Sequence, residues 1–287
     1  MQKLFGLIIV LAGVVGGFLW SGGVLNAFWQ PGELTIIIGA WIGAMVIANP
    51  RSILKEMMRQ IYGVLKKNMY TKAFQQQLLM LLYELLELVQ AGGLKALDEH
   101  IEVPANSELF KKYPLILADK GLVTFISDNF RLMAMGRINA HELENILEQE
   151  LGAVEEEMML PSRSLSRTAE AMPGFGICAA VLGIIITMQS IDGDIAVIGV
   201  KVAAALVGTF LGVFLCYCLM DPMANAMEQL TKRQLAVLEC VRTVLVNQVA
   251  GKPALLAVDA GRKMLPLDSK PTFAALDGWV DKLSGNK

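Results

Sequence analysis

Charge is what this sequence has too little of. Only 18% of its 287 residues are Asp, Glu, Lys or Arg, against roughly 25% in soluble domains, and the deficit is concentrated. No charged residue occurs in 4–32, 34–50, 171–191 or 202–220. Runs of about 17–20 apolar residues are long enough to carry a helix across a bilayer. Histidine occurs only at His100 and His141, outside all four runs. The cysteines (Cys178, Cys216, Cys218, Cys240) show neither a disulfide framework nor metal-ligand spacing, since Cys216 and Cys218 are two apart and do not share a helix face. No glycine-rich loop suited to cradling phosphate is present. These absences exclude an ordinary soluble enzyme, a disordered chain and a nucleic-acid binder. No catalytic set, cofactor or metal site is expected.

What is present is apolar: 54% of residues, with the charges gathered into two blocks. The fold class expected is all-α, a polytopic membrane protein with four transmembrane helices and a helical cytoplasmic domain. Residues 1–50 hold the first two spans, 51–170 a cytoplasmic block, 171–221 the third and fourth spans, and 222–287 a cytoplasmic helix and tail. The spans run from Leu4 to Ser21 and from Leu34 to Pro50, then from Pro173 outward and back to Pro222. Trp20 and Trp29 flank the first turn as members of an interfacial aromatic belt. Arg51, Lys55, Arg59, Lys66, Lys67 and Lys72 follow the second span, Arg163 and Arg167 precede the third, and Lys232 and Arg233 follow the fourth. The turns at 22–33 and 190–196 have no Lys or Arg, so the positive-inside rule puts both termini in the cytoplasm. Lys201 dissents, near the outer end of the fourth span.

The block at 51–170 reads as helical throughout. Lys72–Ala91 is a leucine-rich helix stopped by Gly92-Gly93, Leu94–Ile101 is short and charged, and Leu115–Gly136 is one amphipathic stretch. Asn139 and Glu142 have the spacing of a capping box. The helix they start buries Leu143, Leu147, Leu151, Val154 and Met158. The tail continues as a helix from Pro222 to about Gly251.

No Asp or Glu falls inside the spans as delimited above, so a titrating group for ion passage must come from a partner helix. Small residues recur at fourfold spacing: Gly39 and Gly43, Gly176 and Ala180, Ala179 and Gly183, Gly208 and Gly212. Such pairs let helix backbones approach closely, within one chain or between subunits. Pro173 and Pro222 lie near the same cytoplasmic membrane face, either as ordinary helix-end prolines or as a hinge. Thr209 either bonds back to its own helix or lines a pore.

Gln30-Pro31-Gly32-Glu33-Leu34, Ile37–Gly43, Tyr113-Pro114 with Ile116–Asp119, Met172-Pro173-Gly174-Phe175-Gly176 and Val207-Gly208-Thr209-Phe210-Leu211-Gly212 together resemble the MotA family of flagellar motor stator proteins. The order of two spans, cytoplasmic block, two spans and tail resembles it as well. The wider family includes the ExbB and TolQ energisers of envelope transport, which are the alternative reading.

The resemblance implies a stator of the bacterial inner membrane: a homopentamer of these chains around a MotB dimer whose helix carries the ion-binding aspartate. Ion flow would then drive torque on the rotor protein FliG, with Pro173 and Pro222 at the family's two functional prolines. Rotor contact in the family runs through an arginine and a downstream glutamate. Gln90 stands at the arginine position, a departure, with Lys95 as a substitute; Asp98 followed by Glu99 stands at the acidic position, and Glu150 matches a further one. Each is equally readable as a solvated charge. The family's sodium-driven members place a threonine where this chain has Ala180. Thr209 remains as a single hydroxyl, too few on its own for a sodium cage, so the expected ion is the proton. Thr187, seven residues beyond Ala180 on a similar face, is the one further hydroxyl that could supply oxygen.

Overall fold

The structure is a computed structural model that describes residues 2–66, 69–135, 138–189 and 195–284. Positions 190–194 of the second outer turn, together with Lys67 and Gly136, lie outside the described residues. No strand occurs among the described residues. The helices are α1 (Gln2–Trp20), α2 (Pro31–Ala48), α3 (Arg51–Leu65), α4 (Lys72–Gly92), α5 (Asp98–Glu102), α6 (Glu108–Lys111) and α7 (Pro114–Leu117). They continue as α8 (Lys120–Met135), α9 (Ala140–Ala169), α10 (Met172–Met188), α11 (Ile195–Phe214), α12 (Asp221–Val249), α13 (Ala254–Arg262) and α14 (Phe273–Ser284). Four helical stretches are long and apolar enough to cross a membrane: Lys3–Trp20, Leu25–Ala48, and the apolar parts of Ala140–Met188 and Ile195–Val249. This is a multi-pass membrane protein.

The chain divides into two units, Met1–Lys67 with Met159–Gln229, and Asn68–Met158 with Leu230–Lys287. The first holds the membrane helices and, beyond the expected 1–50 and 171–221, also α3 and the adjoining ends of α9 and α12. Within it α10 lies along α11, and α2 packs on both. Phe18, Phe28, Phe210 and Phe214 form a chain of ring contacts at 4.6, 5.4 and 5.7 Å between successive centroids. Trp20 and Trp29 are 94% and 73% exposed, as aromatic anchors at a membrane surface are in a lipid-free chain.

The second unit is built on α4, whose Phe74, Leu78, Leu82, Leu85 and Leu86 are buried in one apolar cluster. Thr71 caps α4 by accepting from Phe74 N at 3.3 Å, and Gly93, at φ +72°, ends it. The left-handed conformation there suits glycine alone among common residues. The capping box forms in full: Glu142 N donates to Asn139 Oδ1 at 2.9 Å and Asn139 N donates to Glu142 Oε2 at 3.2 Å.

The expected single stretch Leu115–Gly136 is instead two helices. Asp119 is the cause: its Oδ1 accepts from Leu122 N at 3.1 Å, capping α8, and its Oδ2 accepts from Tyr70 Oη at 3.0 Å. Pro114 starts α7, with Leu115 N donating to Gln77 Oε1 at 2.9 Å. Burial pushes the phenol pKa of Tyr113 up, and the carboxylate of Glu84 beside it adds to the shift. The Tyr113-Pro114 and Ile116–Asp119 motif therefore shapes a corner.

Candidate functional site

The membrane helices meet along a seam of small residues. A Cβ on Gly212 would lie 2.6 Å from Met172 O and 2.9 Å from Gly176 Cα. One on Gly176 would lie 2.9 Å from Gly208 O, and one on Gly183 would lie 3.1 Å from Ala205 Cβ. Of the two uses open to the small-residue pairs, the third and fourth spans take the intrachain one: α10 and α11 are backbone to backbone. Gly39 and Gly43 are different, with nothing within 4 Å of a Cβ placed on either. Among the described residues that face of α2 is unoccupied.

The seam has one carboxylate, which the sequence reading left in the outer turn. Helix α2 begins at Pro31, so Glu33 lies in its first turn and not outside the span, as its placement before Leu34 implied. Its Cγ would be 3.1 Å from a Cβ on Gly208, and its Oε1 3.7 Å from one on Gly183. The missed signal was local: Pro at the first helical position with an acid two residues on is a helix start. A carboxylate between α2, α10 and α11 can accept a proton or a cation.

Of the expected ion-selectivity residues, Thr187 is fully buried and its hydroxyl donates to Gly183 O at 2.8 Å. Ala180 is also buried, while Thr209 is half-buried beside Gly176. Within one chain the three are therefore not gathered on a common open wall.

The prolines occupy unlike settings. Pro173 is in the first turn of α10, directly after the break at 170–171 that separates it from α9. Pro222 follows a π-helical turn, Leu215–Met220, that joins α11 to α12. Asp221 N–H bonds to Cys216 O, five residues back. Pro222 has no N–H to give, and a wide turn just before it accommodates that loss. Ser166 Oγ donates to Asp221 Oδ1 at 3.0 Å, tying the end of α9 to this turn. Beside it opens a polar recess of about 340 Å³ lined in part by Arg163, Arg167, Glu170 and Glu228.

On the second unit, Gln90 is exposed at the end of α4, Lys95 is exposed in the following turn, and Asp98 and Glu99 are exposed in the first turn of α5. The two acids there complement the helix dipole. Glu150 is exposed on α9, a separate element.

Comparison with known proteins agrees along the whole length. Residues 4–93 match the family described as Motility protein A N-terminal, and 118–240 match the MotA/TolQ/ExbB proton channel family. The chain is 54% identical to Chemotaxis protein LafT of Vibrio parahaemolyticus over 99% of this chain and 100% of the relative. It is 37% identical to Motility protein A of Escherichia coli over 98% and 95%. In fold it is similar to MotAB of C. jejuni (TM-score 0.75, 15% identity, 93% and 96% covered). It is also similar to the flagellar MotAB stator complex of Bacillus subtilis (TM-score 0.71, 22% identity, 89% and 92% covered).

Proposed function

The chain belongs to the motility protein A group of the MotA/TolQ/ExbB proton channel family, and from that membership we propose that it is the outer-ring subunit of a flagellar stator. The observation that carries the reading is the identity of 54% and 37% to motility proteins over almost the entire chain. The N-terminal match over 4–93 is to a motility protein family, which favours this over the ExbB/TolQ alternative. Its role is transport and mechanical work, not catalysis.

In this reading the chain sits in the bacterial inner membrane with both termini in the cytoplasm. It assembles as a homopentamer around a MotB dimer, and the ion site is completed by the partner's helix. The transported ion is the proton. Ala180 offers only a methyl group and Thr187 is fully buried with its hydroxyl turned to Gly183 O, which leaves Thr209 and the Glu33 carboxylate, fewer open oxygens than a sodium cage takes. Replacing sodium by potassium at constant proton-motive force should leave rotation unchanged in cells expressing this chain with its MotB partner. Loss of rotation that sodium restores would overturn the assignment.

Torque passes to FliG through the exposed charges of the second unit. Asp98→Lys should slow swimming while insertion and partner binding persist, and Glu150→Lys should add to it. Exposed pairs contribute about 0–1 kcal/mol each, so each single reversal gives a partial defect, most visible at high load in a tethered-cell assay. Full torque from the double reversal would remove both from the contact.

A further inference from the structure

Helix α3 is two-faced in a way the stator reading does not use. Met57, Gln60 and Val64 are buried on one face. Met58, Tyr62 and Leu65, spaced to share a single stripe, are 65%, 59% and 66% exposed. Arg51, Lys55 and Arg59, at successive fourth positions, are exposed as well. Arg51 and Lys55 precede Met58 and Tyr62 by seven residues on the same side, and Arg59 flanks them. Lys66 Nζ lies 4.4 Å from the centre of the Tyr62 ring, and Arg59 also pairs with Glu56 at 2.8 Å.

Both ends of α3 are fastened to the same membrane face. Its start follows the end of α2 across Asn49 and Pro50 alone. Its last turn is held by Lys3, at the start of α1, whose Nζ donates to Val64 O at 3.0 Å. Helices α1 and α2 are membrane-crossing candidates of 19 and 18 residues joined by a short turn. Lys3 and Ala48 thus lie at one level, and a 15-residue helix, about 22 Å long, tied at both ends to that level runs along the surface. A helix whose exposed side is basic in its first half and apolar in its second, lying in the plane of the inner leaflet, meets the chemistry of anionic phospholipid there.

We propose that α3 is a membrane-surface helix whose Met58, Tyr62 and Leu65 insert among the acyl chains while Arg51, Lys55 and Arg59 hold anionic phospholipid headgroups. The proposal rests on the reading that α1 and α2 span the bilayer with the chain's termini in the cytoplasm, and it stands or falls independently of the coupling ion and the rotor contact.

The test uses the full chain with its partner, reconstituted in vesicles of phosphatidylcholine containing about one-third phosphatidylglycerol. In a chain whose native cysteines are replaced by serine, a nitroxide on Met58→Cys should be more accessible to oxygen than to a water-soluble nickel chelate, and one on Glu56→Cys the reverse. A label at 58 open to the chelate, or shielded from both reagents as under a second copy of the chain, would overturn the insertion. In a second measurement, spin-labelled phosphatidylglycerol should associate with the wild-type complex over spin-labelled phosphatidylcholine. Lys55→Gln/Arg59→Gln should lower that preference, by at most about fivefold per lost cation. An unchanged preference would overturn the headgroup assignment even where the Met58 result holds.

Discussion

Gly212→Leu is expected to leave a chain that inserts in the membrane but forms no stator and supports no swimming. The atoms facing Gly212 are backbone: Met172 O at 2.6 Å and Gly176 Cα at 2.9 Å from a single added carbon. No side-chain rotation can relieve that contact, so α10 and α11 must part. Overpacking by a methyl group costs about 1–3 kcal/mol where the surroundings can adjust, and a leucine adds three carbons more. Lipid offers no hydrophobic drive to push the helices back together, since separated helices are as well solvated by acyl chains as by each other. Gly39→Leu tests the other use of the pairs: its added carbon meets nothing within 4 Å among the described residues, so the chain folds and any loss of assembly reports a contact between subunits. Size-exclusion profiles of detergent extracts and co-purification of the partner read the difference. Normal assembly of Gly212→Leu would show that the α10–α11 seam is not what holds the membrane unit together.

That seam also marks how far the sequence could be read. The charge-free runs announced the membrane helices, because a long apolar stretch has few alternatives to crossing a bilayer. Asn139 and Glu142 announced a helix start because the capping box is a contact between residues three apart. The small-residue pairs announced close packing but not its partner, since which helix lies opposite Gly176 or Gly212 is a long-range fact. Asp119 shows the same divide. Its capping of α8 is local, whereas its hydrogen bond to Tyr70 joins residues far apart in the chain. Thr187 was read as a potential ligand because its alternative, a bond to Gly183 O within its own helix, leaves no trace in spacing. Glu33 was missed for a nearer reason: the charge-free run was taken to define the helix, and the proline that starts α2 three positions before Leu34 was overlooked.

Pro222→Ala is expected to slow rotation severely in a complex that still assembles. The alanine supplies an N–H that can bond to Cys218 O one turn back, the position a proline leaves empty. With that bond available the π turn at Leu215–Met220 loses its cause. A regular α-helix through 214–222 then sheds the extra residue, rotating the start of α12 by about 100° relative to α11. Alanine in a helix interior is favoured over proline by about 3 kcal/mol. If that bias falls on one side of the proposed hinge, the transition slows by about a hundredfold. Ser166, bonded to Asp221 at 3.0 Å, would lose its partner as the turn closes, so the end of α9 is uncoupled at the same time. Pro222→Gly separates the causes, restoring the N–H while keeping a weak helix former, and should retain more rotation than the alanine variant. The readouts are partner co-purification, which should be unchanged, and tethered-cell speed, which should fall about a hundredfold for alanine. Wild-type speed in Pro222→Ala would mean that the π turn is a passive accommodation of the proline, with no part in transmitting motion from the membrane helices to α12.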